Sequence, residues 1–234
     1  GLLWAAGDSD PRLKSILKTA PEARYWTSTA DSGADCGSCH ADGRSGTYDH
    51  GEVMVKCLLC AQECVIAEGF RGACRARLND GGRLKTLVYG RPVSVHVDPI
   101  EKKPFYHFHP GSAALSLATA GCPLRCKFCQ NWQISQARPE DFQGDFYPPE
   151  TIVEAAVRRS APILAFTYNE PTVFMEYLAD IARFGRERGR RSVLVSCGLM
   201  NPDPLKEMCR VLDQDLSQIG ARAAVFDGPR AEAV

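Results

Sequence analysis

From residue 113 onward, short apolar runs alternate with segments of helical period, and the first run delivers the chain into a loop of three closely spaced cysteines. Such alternation constrains the fold strongly. A helix between two strands carries the chain back to the same end of the sheet, so the strands pair in parallel. Residues 114–119, 162–167 and 191–196 predict strands. Helices are predicted over 149–160, from about 172, and over 204–212. The first opens with Pro149-Glu150 and puts Ile152, Val153, Ala156 and Val157 on one face; the second spaces Val173, Phe174, Tyr177, Leu178, Ile181 and Phe184 helically. The expected class is α/β, a parallel sheet or partial (βα) barrel with its chemistry at the strand C-termini. The 122 residues of 113–234 allow about three to four βα units. That is short of a closed barrel.

Cys122, Cys126 and Cys129 stand in the run Gly-Cys-Pro-Leu-Arg-Cys-Lys-Phe-Cys-Gln-Asn-Trp that follows the first of these strands. Thiolates prefer zinc, copper(I) or iron–sulfur centres. A closed site needs four ligands and this loop supplies three. It could hold three irons of a four-iron cluster and leave the fourth open to a reactive ligand. Arg125 and Lys127 add positive charge beside the thiolates. The alternative is a zinc or disulfide cluster with a fourth partner elsewhere, and the strand just before the loop and the flanking positive charge count against it.

The chain has eleven cysteines, an odd number, grouped at x2 and x3 spacings that suit metal sites better than a disulfide framework. A reducing, cytoplasmic compartment follows as the expectation. With 28 basic and 28 acidic residues the formal charge is zero, so neither nucleic acid nor an acidic membrane is an expected partner. No apolar run approaches a membrane span. Cys57-x2-Cys60-x3-Cys64-x9-Cys74 supplies four thiols, enough for a second, closed site holding zinc or an auxiliary iron–sulfur cluster, and spacing does not choose between them. Cys36-Gly-Ser-Cys39-His40 matches the c-type haem pattern within a Gly- and Ser-rich stretch, a weak signal. Cys197 and Cys209 read as core or helix-face thiols.

Thr167-Tyr-Asn-Glu-Pro171 stands where the second strand meets its helix. Asn169 suits a helix cap, and Glu170 complements the helix dipole. A carboxylate at this place also faces the mouth of a barrel. Asp98-Pro-Ile-Glu-Lys-Lys103 and Tyr106-His-Phe-His109 form a polar and aromatic cluster before the first barrel strand, with Glu101, Lys102 and two histidines as candidate substrate contacts.

Cys-x3-Cys-x2-Cys with an aromatic, Phe128, before the last cysteine resembles the signature of radical S-adenosylmethionine (SAM) enzymes. The resemblance tightens through Val55-Lys-Cys-Leu-Leu-Cys-Ala-Gln-Glu-Cys-Val-Ile, Gly69-Phe-Arg-Gly-Ala-Cys-Arg-Ala-Arg, Leu87-Val-Tyr-Gly-Arg-Pro, and the run from Asp98 to Gly111. In that order, with the triplet and the 167–171 motif, they resemble the AmmeMemoRadiSam-system radical SAM enzymes, which are similar to pyruvate formate-lyase activating enzymes. The likeness covers about residues 51–215.

The resemblance implies a [4Fe-4S] cluster on Cys122, Cys126 and Cys129, with SAM on the open iron. Reductive cleavage of SAM then gives a deoxyadenosyl radical that abstracts hydrogen from a substrate. Glu170 would bind the SAM amine, backbone around Phe128 would line the adenine site, and Asn169 and Ser196 are further cofactor contacts. No side chain is assigned as catalytic. A low-potential electron donor and Memo-like and AMMECR-like proteins are the implied partners. A glycyl-radical-enzyme activase is the alternative enzyme. An inactive fragment, or a protein that simply binds zinc or iron–sulfur, is the alternative outside enzymology.

Three departures qualify the likeness. Ser196-Cys197-Gly198 stands where many relatives have Asn before Gly, and 213–217 (Asp-Gln-Asp-Leu-Ser) where relatives carry Asp-Leu-Lys. Beyond that the rest of the barrel is absent, so truncation is expected. The expected divisions are a poorly patterned extension (1–50), a small Cys-rich α+β module (51–111), the partial barrel (112–216) and an atypical tail (217–234).

Overall fold

A computed structural model of the chain describes residues 4–5, 10–28 and 54–212. The haem-like motif at 36–40, the 213–217 departure and the 217–234 tail lie outside the described residues.

The chain begins with strand β1 (Trp4–Ala5) and helix α1 (Pro11–Thr19). Asp10 caps α1 through its side chain, which accepts from the Arg12 N–H at 2.8 Å, and Pro11 begins the first turn. Leu13 and Ile16, one turn apart, bury against Leu78 and Leu87. A folded helix therefore stands inside what reads as a poorly patterned extension.

Strands β2 (Trp26–Ser28), β3 (Val55–Cys57) and β4 (Val65–Ile66) make one antiparallel sheet. Strands β5 (Phe70–Arg71), β6 (Arg77–Asp80) and β7 (Arg83–Thr86) join β1 in a second, in the order β1-β5-β6-β7. Gly81 and Gly82 turn the β6–β7 hairpin, both with positive φ.

The third sheet positions the site. It contains β8 (Pro92–Pro99), β9 (Ala113–Thr119), β10 (Ile163–Phe166) and β11 (Arg191–Leu194), in the order β11-β10-β9-β8. The last three run parallel, as the alternation predicts, and β8 lies antiparallel on β9. Among the described residues the sheet is open, not a closed barrel. Helix α2 (Trp132–Ser135) follows the triplet loop; α3 (Pro149–Arg158), α4 (Met175–Glu187) and α5 (Pro202–Val211) complete the set. The sequence starts the second helix near Thr172; the structure places a 3-10 turn at Pro171–Phe174 ahead of α4.

Both faces of the parallel strands are buried, as parallel sheets require. Larger side chains (Leu115, Leu117, Leu164, Phe166) pack with Ile152, Val153 and Ala156 of α3 and with the inner face of α4. The same core cluster runs on into Val55, Ile66, Leu84 and Val88 of the N-terminal strands. The opposite face is lined by Ala114, Ile163, Ala165 and Val193 against Ile100. Among the described residues no helix is long and apolar enough to cross a membrane.

Candidate active site

Strand β9 ends at Thr119, and Gly121 turns the chain into the triplet loop with a φ of +91°. A Cβ at Gly121 would fall inside contact distance of the Cys74 carbonyl oxygen, so close approach and positive φ both demand glycine. The loop is pinned on several sides. Gly121 N–H donates to Ile134 O at 2.9 Å, and Gln136 Nε2 donates to Leu124 O at 3.0 Å while its Oε1 accepts from Arg75.

Cys122, Cys126 and Cys129 are free thiols, buried, exposed and half-buried in turn, and all three line one open cleft of about 560 Å³. That is within the range of small-molecule sites. Backbone N–H groups of Leu124 and Glu170 face the Cys122 sulfur, and the thiol of Cys129 lies 3.4 Å from Ser135 Oγ. Burial pushes the Cys122 thiol up from its ordinary value, and those N–H groups oppose the rise.

Asn169, Glu170 and Ser196 line the same cleft. Asn169 is buried, and its Nδ2 donates to Thr119 O (2.8 Å) and Gly121 O (2.7 Å), tying the loop after β10 to the end of β9. It does not cap the helix. Glu170 does, its Oε1 accepting from Thr172 N–H at 3.2 Å and from Thr172 Oγ at 2.6 Å. The buried carboxylate is held further by Ser196 Oγ on Oε1 and by the Cys197 N–H on Oε2, each at 2.7 Å. Glu170 is thus oriented by its neighbours with no cationic side chain paired to it in any hydrogen bond or ion pair described. A ligand amine at Oε2 would find a fixed carboxylate.

Cys197 is the residue the sequence misreads. It is solvent-accessible and lines the cleft, not the core. Desolvation in the cleft, with Glu170, Cys122 and Cys126 close by, pushes its thiol up to about 12. Its place directly after a parallel strand and before Gly198, which has positive φ, was the available signal. Phe128, by contrast, is 86% exposed and is not among the residues that line the cleft; Leu124, Gln130 and Asn131 of its loop are.

One rim of the cleft is cationic. Lys102 and Lys103 line it, while His107 and His109 are exposed and stand away from it. Asp98 accepts from Lys102 Nζ and Lys103 Nζ, both at 2.8 Å, and from Tyr168 OH at 2.6 Å. Burial works against ionising Asp98, and the hydrogen bonds from Lys102, Lys103 and Tyr168 outweigh it, holding the carboxyl well below its ordinary range. Lys103 also sits over the Tyr168 ring, 4.4 Å from its centre.

The second cysteine group also comes together. Cys57, Cys60, Cys64 and Cys74, all free, line one enclosed space behind the triplet loop. Burial pushes Cys60 up to about 11 and Cys74 up to about 12. As they stand, no three His, Cys, Asp or Glu side chains among the described residues converge tightly enough to hold a single metal ion.

Residues 116–220 match the family model of the Radical SAM superfamily. The match spans β9, the triplet loop, β10 and β11, the elements that build the cleft, and it supports SAM-dependent radical chemistry on an iron–sulfur cluster. An uncharacterized protein of Methanocaldococcus jannaschii is 43% identical to the chain over 154 residues. The alignment covers 66% of this chain and 46% of that protein, so the chain spans about half the length of its relative. No solved structure gives a significant match. The donor set fits the group the superfamily match implies: three free thiols open to one cleft, with a buried, fixed carboxylate beside them.

Proposed function

We propose that the chain provides the cluster- and SAM-binding part of a radical SAM enzyme. One observation carries the reading: Cys122, Cys126, Cys129, Asn169, Glu170 and Ser196 line a single cleft beyond the C-terminal ends of three parallel strands. Cys122, Cys126 and Cys129 would hold a [4Fe-4S] cluster. With that cluster and SAM bound, transfer of one electron to the sulfonium breaks its bond to the ribose carbon, leaving methionine and a 5′-deoxyadenosyl radical that takes hydrogen from the substrate.

The chain's own residues bind and orient. Glu170, held by Thr172, Ser196 and the Cys197 N–H, receives the SAM amine. Asn169 keeps the β10 loop against the end of β9, fixing the carboxylate relative to the thiols. Lys102, exposed at the open rim, offers a cationic contact to an anionic substrate while it shares Asp98 with buried Lys103. The sequence likeness to the AmmeMemoRadiSam-system enzymes, and through them to pyruvate formate-lyase activating enzymes, points to a low-potential electron donor and to Memo-like and AMMECR-like partners. An oxygen-sensitive cluster suits a reducing, cytoplasmic setting.

Anaerobic reconstitution with iron and sulfide tests the reading. The reduced protein is expected to give an electron paramagnetic resonance spectrum that changes when SAM is added. Cys126→Ala should lose the signal. A reconstituted protein whose spectrum ignores SAM would count against the assignment.

A further inference from the structure

Behind the triplet loop, the four cysteines of the N-terminal module surround a cavity of about 20 Å³. We propose that Cys57, Cys60, Cys64 and Cys74 bind one zinc ion, and that this ion braces both loops of the neighbouring cleft. The inference is independent of the cluster assignment.

Four thiols on one space make up a complete tetrahedral set, the closed arrangement of a structural zinc ion, and metal analysis separates zinc from an iron–sulfur cluster. The four thiols are free and line the same space, and binding an ion requires them to draw closer than they stand.

Backbone amides are aimed at three of the sulfurs. Ala73 N–H lies 3.3 Å from Cys64 Sγ, and the backbone N–H groups of Gln62 and Ala76 face the sulfurs of Cys60 and Cys74. In both latter cases the donor is two residues beyond its cysteine. Amide donors aimed at sulfur stabilise the ionised form that a metal requires. Arg77, fully buried, reaches within 3.9 Å of Cys57 Sγ while paired with Glu176. Four thiolates on a divalent cation carry excess negative charge, and a neighbouring guanidinium offsets it.

The position gives the ion a task. Pro123, next to Cys122, lines the cavity, and Cys74 backs directly on Gly121. On the other side Cys60 bridges Met200, with Ala61 N–H donating to Leu199 O and Asn201 N–H to Leu59 O, each at 3.0 Å. Those contacts reach the triplet loop and the loop after β11 that carries Ser196 and Cys197. Val55, Leu59 and Ile66 tie this segment into the main core, and a metal cross-link would add to that packing at the cysteine-bearing turns.

The test uses the full chain as Cys122→Ala/Cys126→Ala/Cys129→Ala, which cannot hold the proposed cluster, so failure here is distinct from failure there. Purified without added metal and analysed by mass spectrometry, it is expected to carry about one zinc per chain and no iron–sulfide absorption. Adding Cys60→Ser and Cys64→Ser should abolish the zinc. Because those changes can unfold the protein, thiol counting on the folded triple variant gives a second arm. Of its eight remaining cysteines, four should stay unreactive toward a disulfide reagent until a chelator is added, and zinc should leave as they react. Iron with cluster absorption in the triple variant, no metal at all, zinc retained after Cys60 and Cys64 are replaced, or zinc leaving without thiol exposure would each overturn the proposal.

Discussion

Glu170 Oε1 accepts the hydroxyl of Ser196 at 2.7 Å, joining the loop after β10 to the loop after β11 across the cleft. This bond orients the carboxylate proposed to receive the SAM amine. Ser196→Ala removes one of the donors that fix it and should weaken SAM binding roughly fivefold, the worth of one hydrogen bond of about 1 kcal/mol. Glu170→Gln removes the charge and should cost more, roughly 10–100-fold, in line with a charged hydrogen bond of about 1.5–3 kcal/mol. Calorimetric titration of SAM into the reconstituted protein measures both. Ser196→Thr, which keeps the hydroxyl, should restore most of the loss.

Gly121 joins the two cysteine sites sterically. Its φ of +91° and its approach to the Cys74 carbonyl leave no room for a side chain. Gly121→Ala should destabilise the protein by at least about 1–3 kcal/mol, the usual cost of a non-glycine residue in a sparsely populated backbone region. Urea unfolding should show a lower midpoint with an unchanged slope. Gly81→Ala, where positive φ occurs with nothing within 4 Å, should cost less.

Asp98 makes stability depend on pH. Its folded pKa is depressed below the ordinary value of 3.8, so its contribution is present above that value and is lost as pH falls through the folded one. Asp98→Asn leaves buried Lys103 without its counter-charge and should cost roughly 3–5 kcal/mol at neutral pH. The difference between wild type and variant should narrow as pH falls below 3.8. Denaturant titrations at pH 7 and pH 3 measure the change, and a gap that widens in acid would contradict the assignment.

Arg71 and Glu140 form a buried two-pronged pair, at 2.9 and 2.7 Å, between β5 and the 3-10 turn Pro139–Asp141. Removing one partner strands a buried charge. Glu140→Ala should therefore cost roughly 3–5 kcal/mol, whereas Arg71→Met with Glu140→Leu should cost much less than the single change. Thermal unfolding of the two variants separates the outcomes.

The parts of this fold legible in the sequence are those written in period and spacing. Leu115, Leu117, Leu164 and Phe166 announce buried strands, and the triplet announces a soft-metal loop at a strand end. Cys57, Cys60, Cys64 and Cys74 fall at spacings that suit a shared site, and all four line one cavity without converging on a single point. Register was less visible. The antiparallel pairing of β8 with β9 depends on tertiary contacts, and it places Asp98 where it holds Lys102 and Lys103 at the cleft. Helix α1 lies unannounced inside a stretch that reads as poorly patterned, although Asp10, Pro11 and the Leu13–Ile16 spacing carry its signal. Cys197 looks like a core thiol because a cysteine after a buried strand commonly is one; its exposure follows from the turn at Gly198.

The most direct measurement is the release of 5′-deoxyadenosine from SAM by the anaerobically reconstituted, chemically reduced protein, followed by chromatography. Release should depend on reductant and be lost in Cys126→Ala, and Glu170→Gln should slow it. A protein that holds about four irons per chain, binds SAM and yet releases no deoxyadenosine under reduction would contradict it.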